Sequence, residues 1–180
     1  MSSKYILTND HMEFDGTTLY RIKALRDFGD VHAGDVGGWV EYDGDISDDG
    51  SAWVYDDAKI YGGTIVCDDA KVGGNACIMD SHIYDNARVY GNAYVETTHV
   101  YGNAEVYGDA NVYGNAQVHG EAEVSDDAEI YDDAEIYDNA SIHGCAKVYG
   151  SADVDGCADV HGCAEIYGNA DVGGDDEVCE

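Results

Sequence analysis

Two five-residue segments carry the side chains best suited to chemistry: Ile-His-Gly-Cys-Ala from Ile142 and Val-His-Gly-Cys-Ala from Val160, 18 residues apart. Imidazole nitrogens and thiolates are ligands that zinc selects, so His143, His161, Cys145 and Cys163 make a four-ligand set on paper. If turns of the chain stack at that spacing, Cys145 also lies within disulfide reach of Cys163. His82 and His99, 17 residues apart, form a second pair that stacking would bring together. The remaining chemistry is acidic and aromatic. Glu105, Glu123, Glu129, Glu135, Asp153, Asp159 and Glu165 recur in step with Tyr113, Tyr131, Tyr149 and Tyr167.

What must position these residues is a six-residue repeat. From Val100 the chain reads V-Y-G-N-A-E, V-Y-G-D-A-N, V-Y-G-N-A-Q, and an aliphatic residue returns at Val118, Ile130, Ile142, Val154, Ile166 and Val178. Periodicity of this kind decides the architecture ahead of local propensity. Alanine follows each aliphatic residue by four positions, as at Ala104, Ala110 and Ala116. One residue separates that alanine from the next Val or Ile, which is strand alternation with both small and branched residues facing inward. The pairs between strands are mostly Gly-Asn, Gly-Asp, Asp-Asp or Gly-Cys, types that tolerate positive φ, so each hexad ends in a tight corner. Three hexads then close one triangular coil. Two units, Ile78 to Ile83 and Val95 to Val100, are one residue short. They begin 17 residues apart, so both contractions fall on the same edge.

The aliphatic-to-alanine spacing resembles the hexapeptide-repeat superfamily of left-handed β-helices, and the resemblance runs from about Val54 to Val178. It implies an all-β, left-handed parallel β-helix with three hexapeptides per coil and about seven coils. The segment LYRIKALRDFGDVHAGDVGGWVE, residues 19–41, is also similar to the start of uncharacterised hexapeptide-repeat proteins of bacteria and their phages. KYILT from Lys4 and TLYRIKAL from Thr18, separated by a polar stretch with Asp15-Gly16, read as a β-hairpin. The expected organisation is therefore a hairpin cap and first coil over residues 1–45, then a continuous β-helix over 46–180. Trp39 and Trp53 are expected to seal the cap end, and Asp175, Asp176, Glu177 and Glu180, or a second subunit, to guard the far edge.

The superfamily's acyltransferases use a histidine near a loop that leaves the coil, and its carbonic anhydrases gather three zinc histidines at a subunit interface. No such loop or spacing occurs here. His119, His143 and His161 take the outward position usually held by tyrosine, which reads as variation within the repeat. In the His-Gly-Cys segments the histidines fall on a strand face and the cysteines on a corner, so no metal site, cofactor or catalytic residue is expected. Without a Cys-x-x-C pair, the six cysteines are expected to be reduced thiols. The histidines at 82 and 99 read as part of a contracted corner. Threonine is too sparse for the arrays of ice-binding β-helices.

Charge gives the functional expectation. The chain has 38 acids and 8 bases, a formal net of −30, which disfavours direct contact with nucleic acid or an anionic membrane. From Tyr42 onward 31 acids face 4 bases, a net of −27. Spread over roughly 35 Å of rod, that is about one charge per 1.3 Å, close to the ≈ 1.7 Å of duplex DNA. The expected function is a non-enzymatic, acidic, phage-type inhibitor that mimics a DNA-like polyanion toward a basic nucleic-acid-binding host protein. Those outward acids would make the surface, and the tyrosine ladder its rim or dimer contacts. Two alternatives are an assembly module, dimerising through its C-terminal end or trimerising through a face, and an acyltransferase. Solubility is the plainer explanation of the acids, since repetitive surfaces must repel one another. With no apolar leader or span-length stretch, the expected location is the cytoplasm.

Overall fold

The computed structural model describes residues 3–179. Its body is a parallel β-solenoid of three sheets, wound left-handed with about eight turns and no helix among the described residues. The first face stacks the strands of Val40, Ile60, Ile78, Val95, Val112, Ile130, Val148 and Ile166. The second runs from Val66 through Ile83 and Val100 to Val172, preceded by a bridge from Ile46 to Val66. The third runs from Val54 to Val178. Every rung is in register, aliphatic over aliphatic. The turn count exceeds seven because the first rung begins at Val36, ahead of the regular repeat.

The core is the repeat itself. Alanines 104, 110, 116 and 122 and the valines and isoleucines that alternate with them are fully buried, as the two inward positions per side require. Backbone N–H groups donate to the next rung, for example Glu105 to the Ala122 carbonyl at 2.9 Å and Tyr107 to Val124 at 2.9 Å. At the corners one residue takes positive φ, and where glycine is absent it is nearly always aspartate, as at Asp68, Asp126, Asp132 and Asp138. These aspartates also cap the next turn: Asp126 and Asp132 accept the N–H of Gly144 and Gly150, each at 3.2 Å. A Cβ on Gly91 would come within 2.8 Å of the Gly108 backbone, so that corner column is glycine by packing as well as by φ.

The hairpin is present and longer than its apolar cores suggest. Strands β1 (Tyr5–Phe14) and β2 (Thr17–Ala24) pair antiparallel. Asp15 and Gly16, both at positive φ, make the two-residue turn. Strand β2 pairs antiparallel with β3 (Val36–Val40), so the hairpin extends the first face's sheet. Trp53 fills the end of the core, edge-on to Tyr5 and Phe28 at 6.2 and 5.4 Å. Trp39 does not share that role, because its position in β3 faces outward, where the Arg21 guanidinium covers its ring at 4.4 Å.

Candidate functional site

The outer faces are two interlocked ladders. The position after the aliphatic residue is often aromatic: on the first face Tyr113, Tyr131, Tyr149 and Tyr167 stack with ring centroids 5.1, 4.7 and 5.5 Å apart. On the second face His119 joins a column between Tyr101 and Tyr137, at 4.5 and 5.3 Å. The positions before the aliphatic residues form columns that are mostly acidic. Glu105 lies beside Glu123, Glu129 beside Lys147 and Lys147 beside Glu165, Glu135 beside Asp153, and Ser141 beside Asp159. All the expected acids and tyrosines thus fall on outward columns, spread over three faces.

The columns are tied diagonally, which register alone did not reveal. The Tyr90 hydroxyl donates to Glu105 at 2.9 Å, Tyr107 to Glu123 at 3.3 Å and Tyr149 to Glu165 at 3.5 Å. His119 pairs with Glu135 at 2.8 Å, His143 with Asp159 at 3.0 Å and His161 with Glu177 at 3.2 Å. Each link joins an aromatic to the acid on the following rung. Desolvation first, then the Glu105 hydrogen bond, pushes the Tyr90 phenol up, and burial chiefly does so at Tyr113 and Tyr131. The phenols are therefore neutral donors, and the carboxylates they hold are fixed in direction. Basic side chains also enter these columns: Lys147 bonds Glu129 at 2.9 Å, and Arg88 pairs with Glu105 at 3.4 Å.

The contracted edge forms a separate feature, an open groove of about 540 Å³ between Asp80 and Thr97 at its corners and His82, Tyr84 and His99 on its wall. The two imidazoles do meet, with centroids 5.1 Å apart and planes at 59°. Thr97, a β-branched residue, holds φ 55 there, a conformation that costs on the order of 1–2 kcal/mol. Among the described residues neither imidazole accepts or donates a side-chain hydrogen bond. A histidine acting as general base needs such an orienting partner, so the groove lacks part of that apparatus.

Cysteines 67, 77, 145, 157, 163 and 179 are free thiols. Cys145 and Cys163 are exposed neighbours on a corner, and the Cys163 thiol raises the cost of ionising Cys145. The histidines of the same segments point along the face toward carboxylates, which separates the two halves of that four-ligand set. His161, Glu177 and Cys179 instead converge at the last rung, a trio hidden in sequence because its members come from two different hexads.

With rung register, alanine–valine core and corner geometry in place, the architecture is decided. The chain is a hexapeptide-repeat β-solenoid. Residues 82–96 of the solenoid match the family described as YdcK Beta solenoid repeat. A protein of Escherichia coli (strain K12) described as "Uncharacterized acetyltransferase YdcK" is similar, 36% identical over 72 residues that cover 35% of this chain and 22% of that protein. The solenoid thus aligns with under a quarter of that relative's length. Among the described residues no helix is long and apolar enough to cross a membrane.

Proposed function

We propose that the solenoid is a non-enzymatic binding protein that presents a rigid polyanion to a basic, nucleic-acid-binding partner and inhibits it. The observation that carries this reading is the charge beyond Arg88: 21 acids and a single base, Lys147, on rungs whose carboxylates are held by phenols and imidazoles. From Tyr42 the net of −27 over about eight rungs at ~4.8 Å gives about one charge per 1.4 Å, near that of duplex DNA. Fixed carboxylates lose little entropy on binding, which favours a mimic over a solvated acidic tail. The bases Lys4, Arg21, Lys23, Arg26, Lys59 and Lys71 lie at the cap end, so the distal half is the face to test.

The whole chain is immobilised and offered a soluble cell extract with and without duplex DNA. The reading expects retained proteins to bind duplex DNA themselves, to be displaced by it, and to be released by moderate salt. It also expects the triple variant Glu105→Gln, Glu123→Gln, Asp159→Asn to retain much less. Retention indifferent to DNA competitor and to salt sinks the proposal.

A second reading, acyl transfer from a coenzyme A thioester, is favoured by one coincidence. The groove at His82 and His99 overlaps the matched residues 82–96, and the E. coli relative is described as an acetyltransferase. It predicts acetyl-CoA binding and turnover abolished by His99→Ala, whereas the polyanion reading predicts neither.

A further inference from the structure

On the third face, the outward column that holds His143 and His161 ends at Cys179, and the column beside it runs Ser141, Asp159, Glu177. We propose that His161, Glu177 and Cys179 form a site for a borderline-soft divalent cation of the zinc class. His161 Nε2 is 3.2 Å from a Glu177 oxygen. One ligand atom from each of the three residues lies within 4.8 Å of the other two. Tetrahedral zinc with bonds of about 2.0–2.3 Å holds its ligands roughly 3.3–3.8 Å apart. Closing the site therefore takes small rotations of side chains that are exposed or half-buried and free to make them.

The donor set selects the ion. One nitrogen, one oxygen and one sulfur suit zinc or cobalt(II), whereas magnesium and calcium take oxygen ligands alone. The same diagonal histidine–carboxylate pair occurs at His119–Glu135 and His143–Asp159, but the next residue in the column is Tyr137 or His161. Only the last rung adds a thiol, and this is the one such trio among the described residues. His143 stacks on His161 at 5.2 Å and backs that ring, while Asp159, the acid in register with Glu177, is held by His143 at 3.0 Å. Binding expels the Cys179 thiol proton to solvent, leaves a fourth position to water, and clips strand Glu177–Cys179 to strand Asp159–His161. The acidic surface raises the local cation concentration. The inference does not depend on the polyanion reading.

The whole reduced chain, stripped with a chelator, is titrated with cobalt(II) in excess magnesium, which occupies unspecific carboxylates. The expected result is one cobalt per chain with a thiolate-to-metal charge-transfer band that zinc abolishes. Cys179→Ser removes the band, and His161→Ala or Glu177→Gln weakens affinity by more than about tenfold, the loss typical even of supporting groups. Cys145→Ser and Cys163→Ser leave band and affinity unchanged, and circular dichroism verifies the fold of each variant. A titration without the band, a band that survives Cys179→Ser, or one that depends on Cys145 or Cys163 overturns the assignment.

Discussion

Lys4 is fully buried, and among the described residues its Nζ has no hydrogen-bond partner; the Phe28 ring lies 5.0 Å below it. Burial is the main force on it and lowers its pKa from 10.5 to about 8, with Asp48 opposing. A folded-state pKa below the unfolded one means that the charged form weakens the fold. That penalty is complete below about pH 8 and disappears as pH approaches 10.5. Lys4→Met keeps the apolar stem and removes the orphaned ammonium, so it should stabilise the cap by about 1–3 kcal/mol at neutral pH. Denaturant unfolding measured at pH 7 and pH 10 should show the gain shrinking at the higher pH. A variant less stable than the parent at pH 7 would mean that the ammonium does net stabilising work against the Phe28 ring.

The contracted edge shows how an element one residue short remains satisfied. Where later rungs of the second face have an inward alanine, its two short units have Ser81 and Thr98, and the full-length unit before them has Thr64, all buried. The Thr64 hydroxyl donates to the Tyr61 carbonyl at 2.7 Å and accepts the Ser81 N–H at 3.4 Å. The Ser81 hydroxyl donates to Met79 at 2.7 Å and accepts the Thr98 N–H at 3.1 Å. The Thr98 hydroxyl has no partner among the described residues. The two neighbours should therefore respond oppositely: Ser81→Ala orphans a buried N–H and costs about 1–3 kcal/mol, while Thr98→Val is neutral or stabilising. Chemical denaturation of both variants checks the pair. The sequence showed where these contractions fall, because 17-residue spacing is countable. It did not show that hydroxyls repair them, since Thr and Ser at a small inward position look like ordinary alanine substitutes. Likewise the ladders at Tyr113 and Glu129 were legible as columns, but the diagonal links and the meeting of His161 with Glu177 and Cys179 depend on side-chain direction across rungs. Trp39 and Trp53 illustrate the same limit: both sit beside the cap, and only strand facing decides that Trp53 goes inside.

For the molecule as a whole, the same charges act on stability and on binding with opposite dependence on salt. Along the second face Glu135, Asp153 and Asp171 stand on successive rungs, and the Asp153 carboxyl is pushed above its ordinary range by burial and then by those two neighbours. Carboxylates about 4.8 Å apart repel one another, and added salt weakens that repulsion only in part, since the screening length is about 10 Å at 0.1 M. Raising sodium chloride from about 0.02 to 0.2 M should thus raise the thermal midpoint. Asp153→Asn should stabilise by about 0.2–1 kcal/mol at the lower salt and by less at the higher. Lys147→Gln should destabilise, because it leaves Glu129 and Glu165 facing each other without the ammonium between them. Affinity for a basic partner must fall over the same salt range if the surface substitutes for DNA. A surface acidic only for solubility shares the first trend and not the second. Thermal midpoints and partner affinities recorded in one salt series therefore separate the two. A midpoint insensitive to salt would mean that the acids scarcely repel one another, and the DNA-like charge density would lose its force as an argument for mimicry.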